Sequence, residues 1–428
     1  MSIERFGTRA YGHGDIRHTP FVRAGKWVFG TGLRATASNG LLDPAVLRQD
    51  RPLDAPPKAQ REAEAIFAAM AESLAQAGSS MGKVVRLDQY YPDSRSVDPY
   101  HVARKKALGA QVAPSTSIIV SRLLNLDAAM DVQVLAVTDA SGYQVQKAGK
   151  DALNVPASSG YAPFVRAGDM IFVAGQLARD ASGDLAPAAQ VRVGQLWNGT
   201  RIKLETQYLV EHRLLPALTA AGSDLSLVLK AQVYLSHAED LPAFWQTWSQ
   251  AFGGRVPPTT VVPVKHPAFG TSAATIEINL VAAHASAAKR VRDVDCDVAT
   301  IASDMACARS FDGVLFVAGL MAIEEGGVTP TTGGDASAPF FYDEPHAQML
   351  DILGKARRIF AAAGSDLSQV ARALQFHCEL ADFRSCYMAW DANLRAEGIP
   401  FSAIEVGADL FAPGARVIVD LWGHAPEA

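Results

Sequence analysis

Ala220-Ala221-Gly222-Ser223-Asp224-Leu225-Ser226 recurs letter for letter as Ala362-Ala363-Gly364-Ser365-Asp366-Leu367-Ser368, and a looser copy, Gln76-Ala77-Gly78-Ser79-Ser80, stands upstream. With Gly78, Gly222 and Gly364 as markers, the spacing is 222 − 78 = 144 and 364 − 222 = 142 residues. Other markers keep the step: Phe-Val-Arg-Ala-Gly at Phe21–Gly25 and Phe164–Gly168, and Phe-Val-Ala-Gly at Phe172–Gly175 and Phe316–Gly319. Solenoid units repeat about every 20–50 residues, so a period this long is a whole domain. The spacing predicts three tandem domains, over 1–145, 146–290 and 291–428.

Each copy opens on a short strand, Lys26–Gly32, Asp169–Gly175 or Val314–Gly319. A helix follows, over Arg61–Ala77, Glu205–Ala221 and Ala347–Ala363, with apolar residues at helical spacing (Ile66, Met70, Leu74). Each helix ends at its marker glycine, which tolerates the left-handed conformation past a helix end. A β-rich run (Val84–Tyr91, Val228–Leu235, Val370–Cys378) leads to a second helix, such as Leu241–Phe252. Two strands close each copy: Ser117–Ser121 with Asp131–Thr138, Thr259–Val264 with Thr275–Ala282, and Ser402–Val406 with Arg416–Leu421. The fold class is therefore α+β, one sheet with helices on one face. The other face keeps apolar residues such as Val132, Val134 and Ala136. Three copies of such a self-associating domain predict a closed pseudo-threefold ring within one chain. Thr138–Ser159 and Ala283–Ala302 read as the connectors, and further homo-oligomerisation of the chain is left open.

The chain has 428 residues, is 49% hydrophobic and 19% charged, and carries a net charge of −5. No basic run marks a nucleic-acid partner, and no apolar stretch approaches the roughly 20 residues that span a bilayer. Met1-Ser2-Ile3-Glu4-Arg5 lacks the apolar core of a signal peptide. Cys296, Cys307, Cys378 and Cys386 show no Cys-x-x-Cys spacing and read as reduced thiols of a cytoplasmic protein. Asn198-Gly199-Thr200 reads as a chance glycosylation match. Scattered histidines (His13 and His18 the nearest pair) predict no metal site, and no Gly-rich phosphate loop or cofactor motif is present.

Pro163-Phe164-Val165-Arg166-Ala167-Gly168-Asp169, Phe172-Val173-Ala174-Gly175-Gln176, the Ala220–Leu225 run, Val233-Tyr234-Leu235 and Phe252-Gly253…Pro257-Pro258-Thr259-Thr260 follow one another in a familiar order. The set resembles the RidA/YjgF-type (endoribonuclease L-PSP-like) family of reactive-intermediate, enamine/imine deaminases. It covers the second copy, much of the third, and the first more faintly. The resemblance implies chorismate-mutase-like domains, arranged as a trimer with small-molecule clefts between neighbours. It also implies an arginine that grips the substrate carboxylate, but the aligned positions hold Thr116, Thr259 and Ser402. The glutamate implied in the last strand aligns with Gln133, Asn279 and Asp420, and the N-terminal tyrosine with Tyr161 and, in the first copy, His18.

These departures predict a changed chemistry toward a neutral, polar small molecule, or none. Asp420, with Glu405 nearby, is the expected general base of a cofactor-independent hydrolase or deaminase acting on a C–N bond. Thr116, Gln133, Tyr161, Thr259, Asn279, Ser402 and His18 are the expected substrate contacts. Asp409 reads as a solvated carboxylate; His377 and Cys378 point to opposite faces of a strand and form no dyad; Cys378 reads as buried and inert. Lys265-His266 reads as a solvent-facing loop pair, and Trp197, Phe340, Phe341 and Tyr342 as aromatics packed on a helix or lidding a cleft. The rival readings are a ring-opening cyclic amidohydrolase like cyanuric-acid hydrolase and barbiturase, and a non-catalytic small-molecule-binding protein. RNA cleavage fits the acidic balance poorly.

Overall fold

The computed structural model describes residues 3–11, 16–47, 55–109, 112–149, 153, 160–192, 194, 200–270, 273–325, 327–330, 337, 342–394 and 398–427. The repeated heptapeptide has a repeated job in it. Gly78, Gly222 and Gly364 sit at φ of +73°, +79° and +69° just past their helices. The serine that follows each glycine donates its hydroxyl to a carbonyl of the closing strand region: Ser79 to Val137, Ser223 to Ala283 and Ser365 to His424, at 2.7, 2.7 and 2.6 Å. Asp224 and Asp366 then accept from the backbone N–H of Ser226 and Ser368, opening a short turn into the next strand. The motif locks helix end, turn and strand to one sheet.

The first helices run over Lys58–Gln76, Thr200–Ala220 and Glu344–Ala362. The second of these widens to a π-turn at Val210–Leu214, just before Pro216. Proline has no N–H and crowds the carbonyl four residues back, and a wider turn relieves both problems. The middle strands are Val84–Tyr91, Val228–Leu235 and Val370–His377. Each pairs in parallel with a penultimate strand, Ser115–Ile119, Thr259–Pro263 or Phe401–Glu405. A parallel pair needs a long crossover, and the second helices, Val97–Leu108, Leu241–Ala251 and Phe383–Leu394, supply it. The closing strands Asp131–Val137, Ile276–Ala283 and Val417–His424 lie between middle strand and opening strand in all three sheets.

Each sheet also has an outer edge strand before its opening hairpin: Glu4–Phe6, Val145–Lys147 and Arg292–Val294. The last two lie inside segments expected to be plain connectors. The hairpin of Arg292–Val294 with Ala308–Phe311 also corrects the reading of four reduced thiols. It draws Cys296 and Cys307 together in a disulfide, a pairing that strand register creates without any Cys-x-x-Cys spacing. Cys378 and Cys386 are free. Among the described residues, no helix is long and apolar enough to cross a membrane. Trp197, Phe340, Phe341, His13 and Asn198-Gly199 lie outside the described residues.

One face of each sheet is covered by its own helices; Ile66, Met70, Leu74 and Tyr100 pack there on Val28 and Leu87, and Val132, Val134 and Ala136, expected on the opposite face, lie in this core too, the alternate residues Leu135 and Val137 facing away. The opposite faces meet each other. Trp27, Phe29 and Leu135 of the first sheet, Phe172 and Val281 of the second, and Phe316 and Trp422 of the third share one core. Loop-to-loop pairing joins the sheets in cyclic order. Val112 donates to Gly160 and its carbonyl accepts from Ala162; Val256 donates to Asp304 and accepts from Ala306; Thr19 donates to Ile399, which donates to Arg17. The bridged residues are Val112 with Tyr161, Val256 with Met305, and Ile399 with His18.

Candidate functional site

Strand register fixes which side chains are equivalent. Leu87 pairs with Ser115, Ala231 with Thr259 and Ala373 with Phe401, so Thr116, Thr260 and Ser402 share one position. Thr259 is one residue out of step and projects to the opposite face, where Trp248 Nε1 approaches its hydroxyl at 3.4 Å. That corrects the expected trio: Thr260 replaces Thr259. On the closing strands Asp88 faces Gln133, Gln232 faces Asn279 and Leu374 faces Asp420. Gln133, Asn279 and Asp420 are thus equivalent, and each lies at a seam with the sheet before it.

At the seam of the first and second sheets, Asn279 Nδ2 donates to Thr116 Oγ1 at 2.9 Å. Two residues earlier on the same strand face stands Glu277, which sequence reasoning passed over. Its signal was present: Asp131 and Glu277 occupy the same register position in the first two sheets. Glu277 is 6% exposed, and among the described residues no donor reaches hydrogen-bond distance of its carboxyl. Burial pushes its pKa up to about 8, with the nearby Arg179 charge acting against the rise. Gly175 makes room for it, since a Cβ there would lie 2.0 Å from Glu277 Oε1 and 3.0 Å from Thr116 Oγ1. Arg179 also donates to the Tyr161 hydroxyl at 2.8 Å, tying that tyrosine to the same seam.

The seam of the second and third sheets is filled differently. Asp420 is fully buried and lies 3.2 Å from Lys230 Nζ, which donates to Thr260 Oγ1 at 2.7 Å and to the Val317 carbonyl. Burial raises the Asp420 pKa, but the nearby Lys230 and Arg372 charges outweigh it, leaving a net lowering. Burial lowers Lys230 to about 8 despite Asp420. A carboxylate so stabilised is a poor proton acceptor. Ile418 stands at the Glu277 position here.

The third seam, between third and first sheets, is bonded around Asp131. Asp131 receives Ser402 Oγ at 2.9 Å, Gln133 Nε2 at 2.6 Å and the Arg34 guanidinium. His18 is buried, contacts the Thr31 carbonyl at 3.0 Å and packs on Phe401, and burial drops its pKa to about 3, so it stays neutral.

Glu405 does not join Asp420. It accepts from Ser121 Oγ and the Leu380 N–H, at 2.9 and 3.0 Å, stapling a loop of the first sheet to the third. His377 is buried and held neutral, Cys378 is half-buried with its thiol pKa raised by burial, and Asp409, Lys265 and His266 are exposed. A cleft of about 1260 Å³ beside residues 293–306 is rimmed by Asp293, Asp295, Asp297, Asp304, Glu324 and Glu325 and contains none of the expected site residues. Among the described residues, no group of three or more His, Cys, Asp or Glu could hold a metal ion.

Residues 152–284 match the family model described as Endoribonuclease L-PSP, which spans the seam residues Tyr161, Gly175, Glu277 and Asn279. Over the larger part of the chain the fold is that of a solved chorismatase: 13% identity, 80% of this chain and 93% of that one, TM-score 0.51. Shorter structures align over about a third of the chain. Yeast Mmf1 is 16% identical over 33% of this chain and 99% of its own, TM-score 0.28. A putative endoribonuclease from Thermotoga maritima is 26% identical over 29% and 85%, TM-score 0.24. Among curated proteins, none matches this sequence.

Proposed function

We propose that this chain is a tandem triplication of a RidA-type domain closed into a pseudo-threefold ring, and that it hydrolyses a C–N bond of a small imine or enamine. The three like sheet orders and the cyclic bridges support the ring. The seam between first and second sheets carries the chemistry, and the observation behind that choice is Glu277. A buried carboxyl with a pKa near 8 can both give and take a proton at neutral pH, which suits imine hydrolysis. Glu277 gives its proton to the imine nitrogen. The resulting carboxylate takes a proton from water as the water oxygen attacks the carbon. That proton passes on to the nitrogen of the carbinolamine, the C–N bond breaks as the carboxylate takes the hydroxyl proton, and ammonia and a carbonyl compound leave with Glu277 protonated again. Thr116 and Asn279 orient the polar substrate, with Tyr161 and Arg179 beside it. Asp420, the base expected from sequence, becomes half of a seam ion pair. The proposal rests on this site and not on the name of the fold neighbour, because one fold serves many chemistries.

The test is ammonia release from a panel of imines generated in situ by amino-acid and amine oxidases. The wild-type chain should exceed the spontaneous rate for at least one member, and Gly175→Val, which fills the space against Glu277, should not. No acceleration across the panel, or equal acceleration by Gly175→Val, would remove this site from the account.

A further inference from the structure

Each middle strand carries a buried cation at one register position: Arg86, Lys230 and Arg372, each at the irregularity near the strand start. Lys230 meets the Asp420 carboxylate of the next sheet at 3.2 Å. Arg372 is placed likewise against the first sheet, but the position of Asp420 is there taken by Gln133. Both ends of that amide are engaged, Nε2 with Asp131 and Oε1 with the Gly32 N–H. Asp88, the carboxylate that lines the cavity with Arg372, is gripped by Arg86 through contacts of 2.9–3.1 Å and stays 3.7 Å from Arg372 Nη2, beyond hydrogen bonding.

The result is an unbalanced buried cluster. Arg372 Nε and Nη2 and Arg86 Nη1 have no acceptor among the described residues. Arg372 is 5% and Arg86 4% exposed, and the Arg372 guanidinium lies over the Trp422 ring at 4.5 Å. Two guanidinium charges line the cavity with one carboxylate, while Asp420, also within the field of Arg372, is paired with Lys230. Between them lies a cavity of about 10 Å³ lined by Phe29, Arg86, Asp88, Gln133, Arg372 and Trp422, with Val134 and Leu135 completing the wall. An unpaired buried charge is costly.

We propose that this cavity binds one small monovalent anion of chloride size, which stands where the Asp420 carboxylate stands in the neighbouring seam. The volume is near the minimum that holds a single water-sized guest, so sulfate and phosphate are too large. Water would fit and accept hydrogen bonds but would leave the excess positive charge uncompensated. The inference is independent of catalysis, since it concerns how the third and first sheets are joined.

The test has two arms on the full chain. Crystals soaked in sodium bromide should show an anomalous peak in the cavity between Arg86 and Arg372. In solution, Tm should rise by several degrees when gluconate is replaced by chloride at constant ionic strength, and Arg372→Met should abolish that dependence. A water or an empty cavity would overturn the proposal. So would a bromide peak without any halide dependence of Tm in the wild-type chain, which marks an adventitious ion only. The wild-type arms decide the matter even if Arg372→Met fails to fold.

Discussion

The phenol oxygens of Tyr90 and Tyr234 lie 2.7 Å apart, although 144 positions separate them in sequence. That separation equals the first repeat step, 222 − 78 = 144, so the contact joins equivalent points of two sheets. The third equivalent, Phe376, completes the group, with its ring centroid 5.9 Å from Tyr90 and 6.3 Å from Tyr234. Three equivalent side chains meeting mutually is what packing around a common axis demands. Tyr90→Phe or Tyr234→Phe strands the partner hydroxyl in a dry core, a loss of about 1–2 kcal/mol each. The double variant should cost less than the sum, read by urea unfolding; additive losses would show that the hydroxyls act separately.

The Lys230–Asp420 pair joins the second and third sheets. Removing one member of a buried pair leaves the other unpaired, so Asp420→Asn or Lys230→Met should each lower stability by about 3–5 kcal/mol. Lys230→Met combined with Asp420→Leu should be milder than either. Equal losses in all three variants would mean that packing, not charge, dominates there.

Glu277 ties stability to pH. Its folded pKa, about 8, lies above the ordinary carboxylate range, so between that range and pH 8 the folded chain binds more protons than the unfolded one. Stability therefore declines as pH rises toward and through 8. Glu277→Gln removes this term, so the Tm of the variant relative to wild type should climb between pH 5 and 8.5. At the upper end the difference is on the order of 4 kcal/mol. A pH-independent difference would place Glu277 in an ordinary solvated state.

The same group sets the expected rate profile. The first step uses protonated Glu277, so kcat/KM for the true substrate should fall as pH rises through about 8. A rate rising through that window would assign the residue to base chemistry alone.

The fold was legible because its punctuation is local. The Gly-Ser-Asp-Leu-Ser run marks a helix end, a serine bond to the closing strand and a capped turn within a few residues. The middle strands followed from their apolar runs almost to the residue. The site was harder because it forms between sheets, where register decides and a slip of one residue reverses the face. Thr259 was such a slip. Glu277 escaped notice because its raised pKa comes from burial at a seam, and nothing in the sequence singles out Lys230, whose partner lies 190 positions away (420 − 230 = 190).

The most direct measurement compares ammonia release by Glu277→Gln and Asp420→Asn, per folded molecule, on the imine that the wild-type chain turns over fastest. The account predicts a loss of at least 100-fold in kcat for Glu277→Gln and a change within about threefold for Asp420→Asn. Retained turnover in Glu277→Gln, with loss in Asp420→Asn, would contradict it and return the chemistry to the seam between the second and third sheets.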